Sequence, residues 1–477
     1  MINQDYPLIV DLDGTLIKSD LLIESFFKLI KTNPIYIFIA IYWAFKGKSY
    51  LKHMIAQKTD IDVEVLPYNF ELINFIKSQK GMRRIILASA SNKKFVKQIY
   101  MYLGIFDEYI ASDNNLNLSK EIKAKKIYDL LGTNNYVYAG NSKDDLPIWK
   151  ICKNAILVNT PKTISKNIAK YNINLILEYK SKKNSLITWL KCLRLHQWIK
   201  NTLIFVPLIL SQQYIFVNSV IASLVAFLVF SICASSVYLL NDLLDIEDDR
   251  HHRSKKNRPI ASGEISQISA FMLFPVLLLL SFSISLKLLP LSFNICLISY
   301  YALTLAYSLY LKKKVLFDVH VLAGLYTMRV VAGTAAIGAE YSFWLVTFSI
   351  FIFLSLAITK RYTELLVMKF SNVKINKGRD YELGDMALLS SLGVASGYIS
   401  VVILALFINS NQLIQKYNSP EFLWFMIPVM LYWISRVWII AHRGEMHDDP
   451  IVFAIKDKVS RYVGIIAGII IMVAMWI

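Results

Sequence analysis

Hydrophobic positions divide this chain into two unlike halves. From Trp189 to the end, apolar residues run in long blocks that predict nine membrane-spanning helices, at about 190–211, 218–240, 267–287, 291–311, 315–337, 342–362, 386–409, 421–441 and 459–477. Before that point the apolar runs are short. Pro7–Val10, Arg84–Ala88 and Tyr136–Ala139 read as strands, with helical patterns between them through about Lys170. Strands alternating with helices predict a doubly wound α/β sheet with its working residues at the carboxyl ends of the strands. Between the first two strands, Asp20 to Gly81 is a helical insertion the size of a cap. It contains NPIYIFIAIYWAF, Asn33–Phe45, too short to span a bilayer; it reads as a buried cap helix or as a surface that docks on a membrane. The expected organisation is an α/β domain over 1–170 with its cap at about 20–81, a linker over 171–188 marked by Lys180, Lys182 and Lys183, and an all-α polytopic membrane domain over 189–477.

Charge orients this picture. Lysine and arginine number 52 against 34 acids, a net charge of +18 that would suit nucleic acid. The basic residues, however, cluster beside the apolar blocks, where anionic lipid and orientation account for them, so no nucleic-acid partner is expected. Arg250–Arg258, Lys312–Lys314, Lys369–Arg379 and Arg443–Arg461 follow the even-numbered blocks, while the opposite loops hold little beyond Lys287 and Lys416. The even loops and the α/β domain are therefore expected on the cytoplasmic side of a bacterial inner membrane. The four cysteines form no CxxC pair, so neither a zinc site nor a disulfide framework is expected. The chain opens on a strand, so no secretory signal is expected.

The densest chemistry lies at Tyr238–Gly263, YLLNDLLDIEDDRHHRSKKNRPIASG, where the second block ends. If the helix continues, Asn241, Asp245 and Asp249 fall on one stripe flanked by Asp242 and Asp248. Like charges at this spacing repel, so the face suits a hard cation such as Mg²⁺ or Mn²⁺ bridging to phosphate oxygens. Arg250, Arg253, Lys255, Lys256 and Arg258 follow and would neutralise a phosphorylated substrate. The pattern NDxxDxxxD followed by RPxASG resembles the first signature of the UbiA superfamily of intramembrane prenyltransferases, and its wording is most similar to the polyprenyl-phosphate phosphoribosyltransferases.

Further residues extend that resemblance. Arg194, Gln197, Lys200 and Asn201 in LRLHQWIKN match RxxQWxKN, and Lys360, Arg361, Tyr362 and Glu364 in TKRYTEL match KRYxEL. Lys200 also reads as an interfacial anchor beside Trp198. Asp318 and Arg329 sit inside the fifth block, where a charge faces a cavity or a partner. Arg379, Tyr381, Asp448, Asp449 and Asp457 complete a charged rim. The resemblance implies phosphoribosyl pyrophosphate and polyprenyl phosphate as substrates. In that reading Mg²⁺ on Asn241, Asp242, Asp245 and Asp249 holds the departing pyrophosphate, and Arg250, Lys255, Arg258, Lys360 and Arg361 hold substrate phosphates.

In the N-terminal half, a strand ending in DLDGTL resembles motif I of the haloacid dehalogenase-like phosphatases. There Asp11 would attack phosphorus and Asp13 would protonate the leaving group. Ser89 in LASAS matches the residue that binds phosphoryl oxygens, and Lys123 the lysine that neutralises the phosphoaspartate, with Lys120, Lys125 and Lys126 as neighbouring candidates. GNSKDDLPIW resembles motif IV, with Asn141 where an aspartate is common, leaving Asp145 or Asp144 to share Mg²⁺ with Asp11 and Asp13. Together the motifs imply a bifunctional enzyme of cell-envelope glycan synthesis, making polyprenyl-phosphoryl ribose 5-phosphate and removing its 5-phosphate. Two alternatives stand beside it: an aromatic prenyltransferase with an accessory phosphatase, and a lipid-binding or transport protein.

Overall fold

The computed structural model describes residues 6–152, 154–170, 173–180, 186–252, 254–371, 380–410, 417–446 and 449–476. Arg253, Arg379 and Asp448, named above, lie outside the described residues. The chain divides into two compact units: residues 1–193 with 238–274, and 194–237 with 275–477.

The first unit is built on a six-stranded sheet of β1 (Leu8–Val10), β2 (Ile85–Asn92), β3 (Glu108–Ser112), β4 (Val137–Gly140), β5 (Asn154–Val158) and β6 (Asn174–Tyr179). Its order is β3-β2-β1-β4-β5-β6, with every pair parallel. Parallel pairing demands crossovers, and α5 (Lys93–Leu103), α6 (Lys120–Leu131), the short α7 (Leu146–Trp149) and α8 (Lys162–Lys170) lie in those after β2, β3, β4 and β5. Both faces are consequently apolar. Leu8 and Val10 join one core with Leu87, Val137 and Phe95, while Ile9 joins the other with Ile86, Tyr138 and Trp149. β6 falls where a linker is expected; NLILEY alternates weakly, but it closes the sheet edge against β5.

The insertion after β1 holds α1 (Leu21–Thr32), α2 (Tyr36–Phe45), α3 (Lys48–Lys58) and α4 (Phe70–Gln79). Asp20 caps α1 by accepting from the Leu22 and Ile23 amides. In α2 only Ala40 and Trp43 are buried. Phe38 and Phe45 stand 75% and 87% exposed, so α2 is not a buried cap helix. The same unit takes in the end of α11 (Val217–Leu244), α12 (Ile246–His251) and the start of α13 (Gln267–Leu288).

The second unit is helical: α14 (Leu291–Leu309), α15 (Phe317–Ala336), α16 (Phe343–Ser371), α17 (Met386–Ile408), α18 (Met426–His442), α19 (Pro450–Lys456) and α20 (Lys458–Trp476). Its core joins Tyr326, Phe353, Leu356, Tyr362 and Trp438 from α15, α16 and α18. Among the described residues, eight helices are long and apolar enough to cross a membrane: α11, α13, α14, α15, α16, α17, α20, and α18 with its leading turn. The first expected span, 190–211, is instead α9 (Leu186–Cys192), a 3₁₀ stretch Leu195–Phe205 and the short α10 (Val206–Leu210). Arg194 there is left-handed at φ 52°, a conformation that ends a helix, and Pro207 follows. This stretch packs closely on α15, where a Cβ on Gly333 would stand 2.2 Å from the Ile204 carbonyl oxygen.

Candidate active sites

Three polar clusters emerge, two in the first unit and one in the second. At the carboxyl end of β1, Asp11 is buried, with Oδ1 accepting from Lys123 Nζ at 2.6 Å and Oδ2 from Thr15 Oγ1 at 3.2 Å. Of the four candidate lysines, then, Lys123 is the one seated on Asp11. Burial raises the Asp11 carboxyl to about 6; Lys123 opposes that shift and the charge of Asp145 adds to it. Asp13 accepts from the Leu21 amide at 2.9 Å and from Ser91 Oγ at 2.6 Å, with Ser89 Oγ farther off at 3.4 Å. Burial and the neighbouring Asp20 lift Asp13 to about 7. Ser91, two residues beyond the expected serine, is therefore the nearer hydroxyl.

Asp145 accepts from Tyr138 Oη at 2.6 Å and from the Asn141 and Ser142 amides at 3.0 and 2.9 Å, and lies 4.0 Å from Lys123 Nζ. Asn141 covers Gly14, where a Cβ would meet its Nδ2 at 2.0 Å; with φ at +75°, that turn suits glycine. From the insertion, Lys52 reaches the Ala90 carbonyl at 2.5 Å and Asn117 Oδ1 at 3.1 Å, and burial lowers its ammonium pKa. Asp11, Asp13, Lys52, Ser91, Lys123 and Asp145 line a cavity of about 1010 Å³ whose wall also includes Lys18, Lys120, Gly263, Gln267 and Ile268.

The second cluster is Tyr238–Gly263. The backbone breaks at Asp245 (φ −104°, ψ 15°) between α11 and α12, yet the Asp245 amide still bonds the Asn241 carbonyl and the Asp249 amide that of Asp245. The stripe expected from the sequence thus survives the break. Arg258 returns over it through Nη1, 3.1 Å from Asp242 Oδ1 and 2.6 Å from Asp249 Oδ2. Burial raises Asp249 to about 6 against the pull of Arg258. Among the described residues, the buried Asn241 Oδ1 atom has no hydrogen-bond partner. Arg250, expected to meet substrate phosphate, has its guanidinium on Glu24, at 2.6 and 3.0 Å, and on the Ala261 carbonyl. Lys255 is exposed.

Helix α1 supplies partners that the sequence reading passed over. Lys31 Nζ lies 2.5 Å from Asp245 Oδ1 and 2.6 Å from Asp248 Oδ2, and Lys28 contacts Glu247 at 2.7 Å. Burial alone would lower the Lys31 pKa, but the two aspartates reverse the sign and hold its ammonium above the ordinary lysine range. The available signal was the spacing of Glu24, Lys28 and Lys31, which share one helical face.

In the second unit, Lys200 and Lys360 converge on Asp449 Oδ2 at 3.0 and 2.9 Å. Burial would raise this carboxyl, but the two ammonium groups hold it well below the usual carboxylate range. Arg329 donates to Asn201 Oδ1 at 2.8 Å and Tyr300 Oη at 3.3 Å, its guanidinium flanked by the rings of Phe230, Tyr300 and Tyr326. Arg361 is buried against Asp318, Glu364 and Tyr307, and Tyr381 Oη donates to Asp318. Tyr362 Oη pairs with His442 Nδ1 at 2.7 Å. Arg436 holds Asp457 bidentately. Gln197 is half-buried on the 3₁₀ stretch.

Among the described residues, no three His, Cys, Asp or Glu side chains gather into a ready metal cage. The acidic segment still fits a hard cation, because among the described residues Asn241 Oδ1 has no hydrogen-bond partner and the carboxylates meet the partly exposed cations Arg258 and Lys31.

The pattern of the UbiA prenyltransferase family matches residues 202–377. A protein of Sinorhizobium fredii described as uncharacterized protein y4nM is 36% identical over 460 residues, covering 96% of this chain and 89% of that protein. The decaprenyl-phosphate phosphoribosyltransferase of Mycolicibacterium smegmatis is 28% identical over 285 residues, 58% of this chain and 89% of that enzyme. A solved UbiA homologue of Archaeoglobus fulgidus, bound to GPP and Mg²⁺, is 17% identical with a TM-score of 0.46, covering 60% of this chain and 97% of that one. Over its C-terminal half the chain belongs to the UbiA prenyltransferase family, as an integral membrane protein homologous to the decaprenyl-phosphate phosphoribosyltransferases.

Proposed function

We propose that this protein transfers phosphoribose from phosphoribosyl pyrophosphate to a polyprenyl phosphate and then removes the 5-phosphate in its N-terminal domain, read here as a haloacid dehalogenase-like phosphatase. In the first step an oxygen of the lipid phosphate forms a bond to ribose C1, and pyrophosphate leaves with the bonding pair. Asn241, Asp242, Asp245 and Asp249 would hold Mg²⁺, whose charge steadies the leaving group. Lys200 and Lys360, which converge on the Asp449 carboxylate, are two cations that would engage a substrate phosphate. Homology to the decaprenyl-phosphate phosphoribosyltransferases supports this choice of substrates.

In the second step Asp11 attacks phosphorus and the bond to the ribose 5-oxygen breaks. Asp13 gives that oxygen its proton, a role suited to a carboxyl raised to about 7. Water then cleaves the phosphoaspartate, with Asp13 accepting a proton and Lys123 balancing the charge. Asp11, Asp13 and Asp145 are the residues that would hold Mg²⁺ there.

One observation carries the pairing of the steps. The cavity that holds Asp11 and Asp13 is walled by Gly263, Glu264, Ser266, Gln267 and Ile268, which run from the end of the RPIASG segment into the first turn of the membrane-length helix α13. A phosphomonoester borne on a lipid would be presented beside such a wall. The test is to supply purified protein with Mg²⁺, polyprenyl phosphate and radiolabelled phosphoribosyl pyrophosphate and to separate the lipids. Label in lipid-linked ribose lacking the 5-phosphate is the expected result. Consumption of a prenyl diphosphate with an aromatic acceptor, and no labelled lipid, would replace this reading with an aromatic prenyltransferase.

A further inference from the structure

Helix α1 has one end in each of the first unit's two acidic clusters. At its start the Leu21 amide donates to Asp13 Oδ1 at 2.9 Å. Near its other end, about 15 Å away at 1.5 Å per residue, Lys31 Nζ lies on Asp245 and Asp248. The helix is fastened along its length. Glu24 makes a buried two-bond pair with Arg250 and accepts from Gln267 Nε2 at 2.8 Å; Phe27 meets Phe271 edge-on with ring centroids 5.6 Å apart. Glu24, Lys28 and Lys31 stand at i, i+4 and i+7, so a single face makes all three charged contacts with the acidic segment.

We infer that Lys31 is a positioning residue of the transferase's acidic motif: a resident counter-ion that holds Asp245 and Asp248 in register and yields the Asp245 oxygen to a divalent cation. This rests on the reading of that motif as a cation site. The argument is one of shared oxygens. Asp245 Oδ1 is 2.5 Å from Lys31 Nζ, so a cation bound to that oxygen competes with the ammonium directly. Lys31 is three-quarters or more covered, with 21% of its side chain exposed, and solvent screens the pair only partly. Arg258 plays the matching part for Asp242 and Asp249 from within the motif itself. The counter-ion of the cation site thus comes from a helix some 210 residues earlier in the chain, whose first residue borders the pocket of Asp13.

The test is Mn²⁺ binding to the detergent-solubilised full chain, followed by electron paramagnetic resonance of free Mn²⁺, for wild type, Asp245→Asn, Lys31→Met and Lys31→Arg. The component lost in Asp245→Asn identifies the motif. In Lys31→Met that component should titrate at about fivefold lower Mn²⁺, the scale of a partly buried ion pair removed from competition; Lys31→Arg should restore the wild-type midpoint. An unchanged or weakened component in Lys31→Met, with Asp245→Asn still abolishing it, would overturn the role of Lys31 and leave the transferase reading intact. If Asp245→Asn removes no component, the cation site itself falls, and the inference with it.

Discussion

Asp11 and Asp245 each meet a lysine ammonium, at 2.6 and 2.5 Å, yet their surroundings are opposite. Asp11 and Lys123 are nearly sealed, with 11% and 4% of their side chains exposed; Asp11 and Asp145 follow the adjacent parallel strands β1 and β4, and Lys123 comes from the crossover helix α6. Asp245 and Lys31 are each about one-fifth exposed, at the junction of α11 and α12, and the lysine comes from a distant helix. A sealed pair is fixed by the sheet and perturbs the pKa strongly; an open pair exchanges partners readily and can admit a cation. The first arrangement suits a nucleophile, the second a site that loads and unloads a charged leaving group.

Breaking each cluster separately should give the largest effects. Asp11→Asn should lower phosphate release at least about 10²-fold while leaving lipid ribosylation within twofold, read by chromatography of labelled lipids; Asp245→Asn should cut lipid ribosylation by a similar factor while leaving hydrolysis of a soluble phosphomonoester within twofold. Next comes the cation of the sealed pair. Lys123→Met should cost phosphate release roughly 10²-fold, as expected for loss of a preorganised charge, measured with a soluble phosphomonoester.

Stability changes should follow the same contrast. Arg250→Met leaves Glu24 buried without its charge partner and should destabilise the first unit by about 3 kcal/mol, seen as a lowered thermal midpoint in detergent. Lys28→Met removes an ion pair more than a third exposed and should move that midpoint by less than about 1 kcal/mol equivalent. The finest distinction is between the two serines. Ser91→Ala should impair phosphate release several-fold more than Ser89→Ala, because Ser91 holds Asp13 at 2.6 Å and Ser89 at 3.4 Å.

Legibility in the sequence follows the same division. The sheet and most of its pocket could be read because these motifs lie in or just after a strand: DLDGT after β1, LASAS within β2, GNSKDD at the end of β4. Lys123 was readable only as one of four lysines, since helical spacing alone does not say which face meets Asp11. The stripe Asn241, Asp245, Asp249 was likewise local. Its partners were not: Glu24, Lys28 and Lys31 are chosen by tertiary docking, and a charged helix face ordinarily reads as solvated. Segment 190–211 misleads for a related reason. Its apolar content suits a span, but Arg194 and Pro207 bracket a 3₁₀ stretch whose polar residues Lys200 and Asn201 turn inward to Asp449 and Arg329. β6 escaped notice because an edge strand needs burial on only part of its surface.

The central claim is that one chain carries out both steps in order. The measurement that reaches it most directly is the lipid product of Asp11→Asn protein incubated with Mg²⁺, polyprenyl phosphate and phosphoribosyl pyrophosphate labelled in the 5-phosphate. The account predicts that label accumulates in the lipid fraction as lipid-linked ribose 5-phosphate, whereas wild type returns it as inorganic phosphate. Equal release of labelled phosphate by Asp11→Asn and wild type would contradict it.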